Sequence, residues 1–513
     1  MPSLLSFTIL AAIGSLALAA PASSFVNQTT CNGNTYTYNQ LAGYGFLPSD
    51  GRDKFGDTLG GIGSSATIDP KSWRKINGSS YTGILWALPD RGWNTNGTLN
   101  YQPRVHKLKI DFTPNPRASV TNPSSPNLQL TYLDSIRFTG PDGTPLTGLD
   151  PSTTGSLSYP NFPPLPRATY TGDGFGGPGP GGARISGDTE GIVLAANNTF
   201  YISDEYGLYI YYFLSSGRLL SAIRPPSAII PHRNGSDSFS ADSPPLYDPD
   251  LAIIPADPDS GRANNQGFEG LTSNPEGTRL YALMQSALDQ EGGLKKKNRR
   301  YARLVEWDIG CSPAEYRAEY VVPLPLYATG GNDTQVAAQS EIHYLGGTQF
   351  LVLARDSGAG RGQESTESLY RQVDVFDIEG ATDVKSGGSD AVNGSIASSK
   401  GVLKEGVTPA EYCGFLDFNV NAQLRRFGVH NGGEPDRGLL NEKWESLALV
   451  PVNGDGGDGE WFLFSFSDND FITQNGYLND GRFRYKDGPG YSLDNQALVF
   501  QISTPNGVKP LVG

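Results

Sequence analysis

The amino-acid sequence predicts an all-β protein of the β-propeller class with long loop insertions. The first observation is an internal repeat. The stretch GDTEGIVLAANNTFYISDEYGLYIYYF, Gly187 to Phe213, reads as three short strands, with Asp188 and Glu190 before the first and Asp204 and Glu205 after the second. QGFEGLTSNPEGTRLYALMQSAL repeats the plan with Glu269 and Gln285, and SEIHYLGGTQFLVLARDSG repeats it with Glu341 and Asp356. KWESLALVPVNGDGGDGEWFLFSFSDNDF is a looser copy with Glu445, Asp468 and Asp470. A degenerate first copy, running from GGIGSSATI to GILWALPDRGWN, keeps Asp90. The second observation is that LYALM, FLVLA, WFLFSF and ILWAL are apolar runs of about five residues, the length of a buried strand. The third is composition: 64 Gly and 37 Pro make a chain dense in turns, without the long amphipathic stretches of a helical fold. Repeated strand–turn–strand units point to radial repetition, with five recognisable repeats and five to seven blades in total.

In chain order, Leu4 to Leu18 is apolar and Ala17-Leu18-Ala19 resembles a signal-peptidase site, so residues 1–20 read as a signal peptide and 21–513 as a single domain. The alternating segment TYTYNQLAGYGFLP is expected to pair with the C-terminal NQALVFQIS and close the last blade. The repeats are expected over 60–138, 187–225, 264–325, 338–425 and 443–503, with insertions at about 139–186, 226–263 and 383–410. The 139–186 segment lacks the Lys-Ser/Thr of a P-loop and is read as a long loop. The basic run Lys295 to Arg300 is expected at a solvated hairpin tip, with contact to an anionic ligand as the alternative.

Seven Asn-x-Ser/Thr sequons, at Asn27, Asn77, Asn96, Asn197, Asn234, Asn332 and Asn393, fit a secreted, extracellular glycoprotein. In an oxidising compartment three cysteines predict one disulfide. Cys311–Cys413 is the favoured pair, with Cys31 free or the true partner of one of them. The formal charge of -14 argues against nucleic acid as a partner. No run beyond the leader reaches the roughly 20 apolar residues of a membrane helix. A monomer acting on a small anionic substrate is the expected state.

Acids recur at the inner ends of the predicted strands, and Arg91, Arg184 and Arg355 stand beside them. Converging carboxylates need cations, and hard oxygen ligands suit Ca²⁺ or Mg²⁺ rather than zinc. Arginine forks bind phosphate or carboxylate. A divalent cation would polarise an ester oxygen and activate water there. The competing reading is that each acid caps a turn of its own repeat. No Gly-x-Ser-x-Gly elbow or His-Glu-x-x-His motif is present, and the four histidines are scattered.

The ordered motifs GDTEGIVL, FYISDEYG, NNQGFEGLTSNPEG and KWESLALVP to FSFSDNDF resemble the phytase-like, "esterase-like activity of phytase" family of secreted proteins, over about Gly60 to Ser503. The resemblance implies an acidic active site in a propeller-like domain and hydrolysis of phosphate or other esters. Carried over position by position, the metal-site acids are Asp90, Asp188, Glu190, Asp204, Glu205, Glu269 and Asp468. Glu190, Glu269, Asp204, Arg91 and Arg355 are the expected catalytic set, the arginines holding the phosphate. Glu445 departs from the pattern, being followed by Ser446 rather than Gly. The expected function is a metal-assisted phosphate-ester hydrolase. The alternatives are a non-catalytic extracellular binding propeller and a metal-dependent carboxylic-ester or lactone hydrolase.

Overall fold

The computed structural model describes residues 25–331, 333–454, 457–505 and 507–511. The leader and the Asn332 sequon lie outside the described residues. The other six sequon asparagines are exposed.

Each predicted repeat forms an antiparallel meander. Thr189–Ala195, Thr199–Asp204, Ile210–Phe213 and Leu219–Ile223 make one four-stranded sheet. Phe268–Ser273, Arg279–Met284, Tyr301–Asp308 and Glu315–Pro323 make the next, and Ala338–Gly346, Gln349–Arg355, Arg371–Asp377 and Glu411–Asp417 a third. Their apolar faces pack against one another. Leu271, Leu283 and Val305 share a buried cluster with Ile342 and Val352, and Phe350 stacks on Phe376 at 4.8 Å. Each such fully buried side chain contributes about 1.5–3 kcal/mol.

The first and fifth repeats are not separate units. The 14-residue strand Asn34–Leu47 pairs antiparallel with Asn495–Ser503 from Thr37↔Ser503 to Leu47↔Asn495, the two segments expected to meet. The same strand meets Leu128–Arg137 through the parallel bridge Gly45↔Leu128. A Cβ at Gly45 would lie 2.2 Å from the Leu128 carbonyl oxygen, so glycine is what permits this approach. The result is one eleven-stranded sheet joining both ends of the chain.

The propeller expectation is therefore corrected. The protein is all-β with one large and several small sheets, and among the described residues no sheet closes into a barrel or propeller. The repeats were legible as separate units, but one long strand serves two of them at once. The first strands of successive sheets face one another without ladder pairing. Ser65 Oγ accepts from Ile192 N at 3.2 Å, Glu341 Oε1 from Leu271 N at 3.1 Å, and Thr272 Oγ1 from Tyr344 N at 3.1 Å.

The disulfide joins Cys31 to Cys413, not Cys311 to Cys413. It ties the strand Asn27–Cys31 to Glu411–Asp417 and so links the large sheet to the fourth repeat. Cys311 is an exposed free thiol in a turn.

Candidate metal centre

Two of the recurring acids stand on β-bulges. The ladder of Thr189–Ala195 slips between Thr189 and Ile192, and that of Phe268–Ser273 slips between Phe268 and Gly270. A bulge leaves a residue unpaired and re-aims its side chain. Here the re-aimed residues are Glu190 and Glu269. The glycine following Glu190 has a packing reason. A Cβ on Gly191 would lie 2.5 Å from Leu271 Cβ and 2.8 Å from the Glu269 carbonyl oxygen, so a larger residue would push the neighbouring strand away.

Two acidic groups result. Asp188, Glu190 and Glu205 each offer an oxygen within 4.8 Å of the others, as do Asp90, Asp468 and Asp470. The second group already holds a cation of the protein. Lys443 Nζ lies 2.7 Å from Asp468 Oδ2, 2.9 Å from Asp470 Oδ1, 3.5 Å from Glu445 Oε2 and 3.9 Å from Asp90 Oδ2. Arg355 adds a second cation through its bond to Glu445. Burial, then the Asp468 carboxylate, holds Asp90 well above the ordinary carboxylate range despite Lys443.

The first group is differently furnished. Arg91 Nη1 pairs with Asp188 Oδ2 at 2.8 Å, and Asp188 Oδ1 accepts from Arg91 N. Glu205 Oε1 accepts from Gly267 N at 3.1 Å. Glu190 is 6% exposed and has no hydrogen-bond or ion-pair partner among the described residues. Burial, then Glu269, Asp188 and Glu205, hold it well above its ordinary range. Burial, then Asp188, pushes Glu205 up to about 8. Glu269 is bonded through Oε1 to Gln285, but its buried Oε2 has no partner. A carboxylate stripped of water without a partner is costly. The unpartnered Glu190 beside Asp188 and Glu205 is the donor set expected of a hard divalent cation.

The remaining expected residues are placed as follows. Asp204 accepts from the backbone N–H of Asp188, Tyr206 and Gly207 and from the Tyr211 hydroxyl, so it braces the turn that carries Glu205. Arg91 and Arg355 face carboxylates in the two groups. Glu341 is bonded by Ser65 Oγ and two backbone N–H groups, and Asp356 caps the turn at Ser368 to Tyr370. Arg184 is not at the acids at all; it lines a separate cavity. Sequence reasoning missed Lys443. The signal was its place two residues before Glu445, which in a strand puts both on one face.

A cavity of about 290 Å³ opens beside the centre. Lys296, Arg299, Arg355 and Lys443 line it together with Glu442 and Gln285, the partner of Glu269. The basic run is thus partly drawn into the site rather than wholly solvated.

The motifs agree with what the chain is similar to. The family described as "Phytase-like: Esterase-like activity of phytase" matches residues 72–471, and the chain belongs to it. An "Uncharacterized secreted protein" of Arthroderma benhamiae is 54% identical over 462 residues, covering 88% of this chain and 90% of that one. The protein is secreted and extracellular. Among solved structures, a luciferin-regenerating enzyme is 10% identical, with 89% of this chain and 95% of that chain covered and a TM-score of 0.27. An aldose sugar dehydrogenase of Streptomyces coelicolor is 11% identical, with 91% and 100% covered and a TM-score of 0.24. Likenesses this low carry no argument about function. Family membership and the acidic clusters support a hydrolase function in general. Among the described residues no helix is long and apolar enough to cross a membrane.

Proposed function

We propose that the protein is a divalent-metal-assisted hydrolase of esters that carry negative charge. The observation that carries this reading is the buried, unpartnered Glu190 carboxylate beside Asp188 and Glu205. These three residues would hold Ca²⁺ or Mg²⁺. A divalent cation there would polarise an ester oxygen and lower the pKa of a bound water. The free Oε2 of Glu269 is the general base, kept in place by its bond to Gln285. Arg91 orients Asp188 rather than holding substrate. Lys296, Arg299 and Arg355 on the adjacent cavity supply the positive charge for an anionic ester. These parts serve a phosphate ester, a carboxylic ester or a lactone alike.

A second reading, a non-catalytic binding protein, is favoured by one observation: Lys443 and Arg355 already neutralise the Asp90, Asp468 and Glu445 side. The deciding experiment measures metal content and turnover of deglycosylated protein, with and without chelator. The panel comprises phosphomonoesters, phosphodiesters, carboxylic esters and lactones. Glu190→Gln is expected to lose metal and turnover, and Glu269→Gln to keep metal and lose about 10²–10⁴-fold in rate. Bound metal with no turnover on any ester would replace the hydrolase with the binding protein.

A further inference from the structure

One cavity of the protein lies away from the acidic centre. It has a volume of about 370 Å³, within the range of small-molecule sites. Its walls are the start of the strand Arg104–Phe112, the end of Leu128–Arg137, the hairpin of Leu165–Tyr170 with Gly182–Ile185, and the turn at 479–482. The hairpin belongs to the long insertion at 139–186. In a chain of net charge -14, Arg104, Arg137, Arg184 and Arg482 all line this one cavity, against the three carboxylates Asp57, Asp173 and Asp480, of which Asp173 is held by the N–H groups of Phe175 and Gly177 and by the Asn479 amide.

Three of the four are held by carboxylates. Arg104 Nη1 lies 2.6 Å from Asp53 and 3.0 Å from Asp57. Arg137 Nη2 lies 3.0 Å from Asp57 and 2.7 Å from Asp480. Arg482 Nη2 lies 3.0 Å from Asp480. Arg184 differs: its Nη1 donates to Asn100 Oδ1 at 3.1 Å and its guanidinium lies over the Tyr170 ring at 5.2 Å. Among the described residues no carboxylate reaches it. Two buried donors of the same lining are unpartnered, the Tyr101 hydroxyl and Arg137 Nε. A structural arginine finds a carboxylate or a set of carbonyls, as fully buried Arg262 does with the carbonyls of Tyr206 and Phe239. Arg184 has neither, and it stands where a ligand can reach it.

We propose that this cavity is a second ligand site for a small molecule bearing a carboxylate or phosphate group. Arg184 supplies the counter-charge, the Tyr101 hydroxyl donates a hydrogen bond, and the Tyr170 ring forms a flat wall. The paired arginines hold the shape of the cavity, while Arg184 is the charge left for the ligand. The site shares no lining residue with the ester cavity, so it stands or falls independently of the hydrolase reading.

The test is calorimetric titration of the full-length glycoprotein in chelator, with inorganic phosphate and with gluconate as separate probes. At least one probe is expected to bind. Arg184→Gln is expected to weaken that binding at least tenfold, and Arg184→Lys to fall between, because it keeps the charge but loses the fork. Tyr101→Phe, which removes only an oxygen, should weaken it several-fold. Lys385→Ala, at a residue that lines neither cavity, should leave it unchanged. Thermal melts of each variant establish that it is folded. The proposal is overturned if neither probe binds below about 10 mM. It also fails if Arg184→Gln binds as the parent does, or if Lys296→Ala, in the ester cavity, rather than Arg184→Gln abolishes binding. Which probe binds decides between phosphate and carboxylate.

Discussion

Lys443 Nζ lies 2.7 Å from Asp468 Oδ2, so the second acidic group carries a counter-ion built into the chain. Removing one partner of such a group leaves uncompensated charge, which costs about 3–5 kcal/mol in buried settings. Because the lysine side chain is 22% exposed, Lys443→Met is expected near the lower end, about 3 kcal/mol. The emptied group should then accept a divalent ion. Calcium should restore much of the lost Tm in this variant, while sodium at equal ionic strength should not. A variant whose Tm is indifferent to calcium would show that Asp90, Asp468 and Asp470 do not form a cation site even when vacated.

Glu190 makes the opposite case. Without metal, its buried carboxylate sits among like charges with no partner. Glu190→Gln should therefore raise stability in chelator by about 1 kcal/mol, read from urea unfolding. With metal at about 100 times its Kd, the parent gains about 2.7 kcal/mol and the variant should gain almost none. The two curves should cross as metal is added. A destabilised variant in chelator would show that Glu190 has a bonding role in the fold.

The Cys31–Cys413 bridge closes a separation of 382 residues. Constraint of so long a loop should make it worth about 2–5 kcal/mol. Cys31→Ala is expected to lose that amount, whereas Cys311→Ser, at an exposed free thiol, should shift stability by less than about 0.5 kcal/mol. Denaturant midpoints of the two variants, measured side by side without reductant, check both statements.

Acid should stabilise the metal-free fold. Burial pushes Asp150 and Asp374 each up to about 6 from an ordinary value of 3.8. A raised carboxyl pKa means the folded state binds more protons than the unfolded one between about pH 4 and 6, so stability falls as pH rises through that window. The loss is on the order of 1–3 kcal/mol per group and is complete above about pH 7. Unfolding at pH 4.5 and 7.5 in chelator reads the slope. Asp374→Asn keeps an acceptor for Phe415 N and should make the slope shallower.

Much of this is legible in the amino-acid sequence. Glu-Gly at 190–191 and 269–270 marked the start of the first strands, but the bulges there were not read from the sequence. The strand pattern of each repeat followed from its apolar runs. The strand Asn34–Leu47 followed from alternation, whereas its pairing with Asn495–Ser503 was expected from the closing of a propeller, and it forms although no propeller closes among the described residues. What failed was the step from repeats to a ring, because nothing in a periodic pattern says that one long strand will belong to two repeats. The pairing of Cys31 was hidden for a related reason: it depends on where the first strand lies in space. The roles of the acids divided on partners that no spacing encodes. Asp204 lies in the same motif as Glu205 but is satisfied by three backbone N–H groups, whereas Glu190 is satisfied by none. Lys443 was legible in principle through its two-residue offset from Glu445.

The strand Asn34–Leu47 emerges among the first parts of the chain, yet its long antiparallel partner, Asn495–Ser503, emerges among the last. During synthesis and export the edge of this strand that meets Asn495–Ser503 must wait unpaired until that partner has been delivered. The three middle meanders pair within themselves and can form as they appear, so assembly of the large sheet is the late, slow event. Destabilising substitutions near Gly45 should therefore depress secreted yield more than they depress the midpoint of the finished protein.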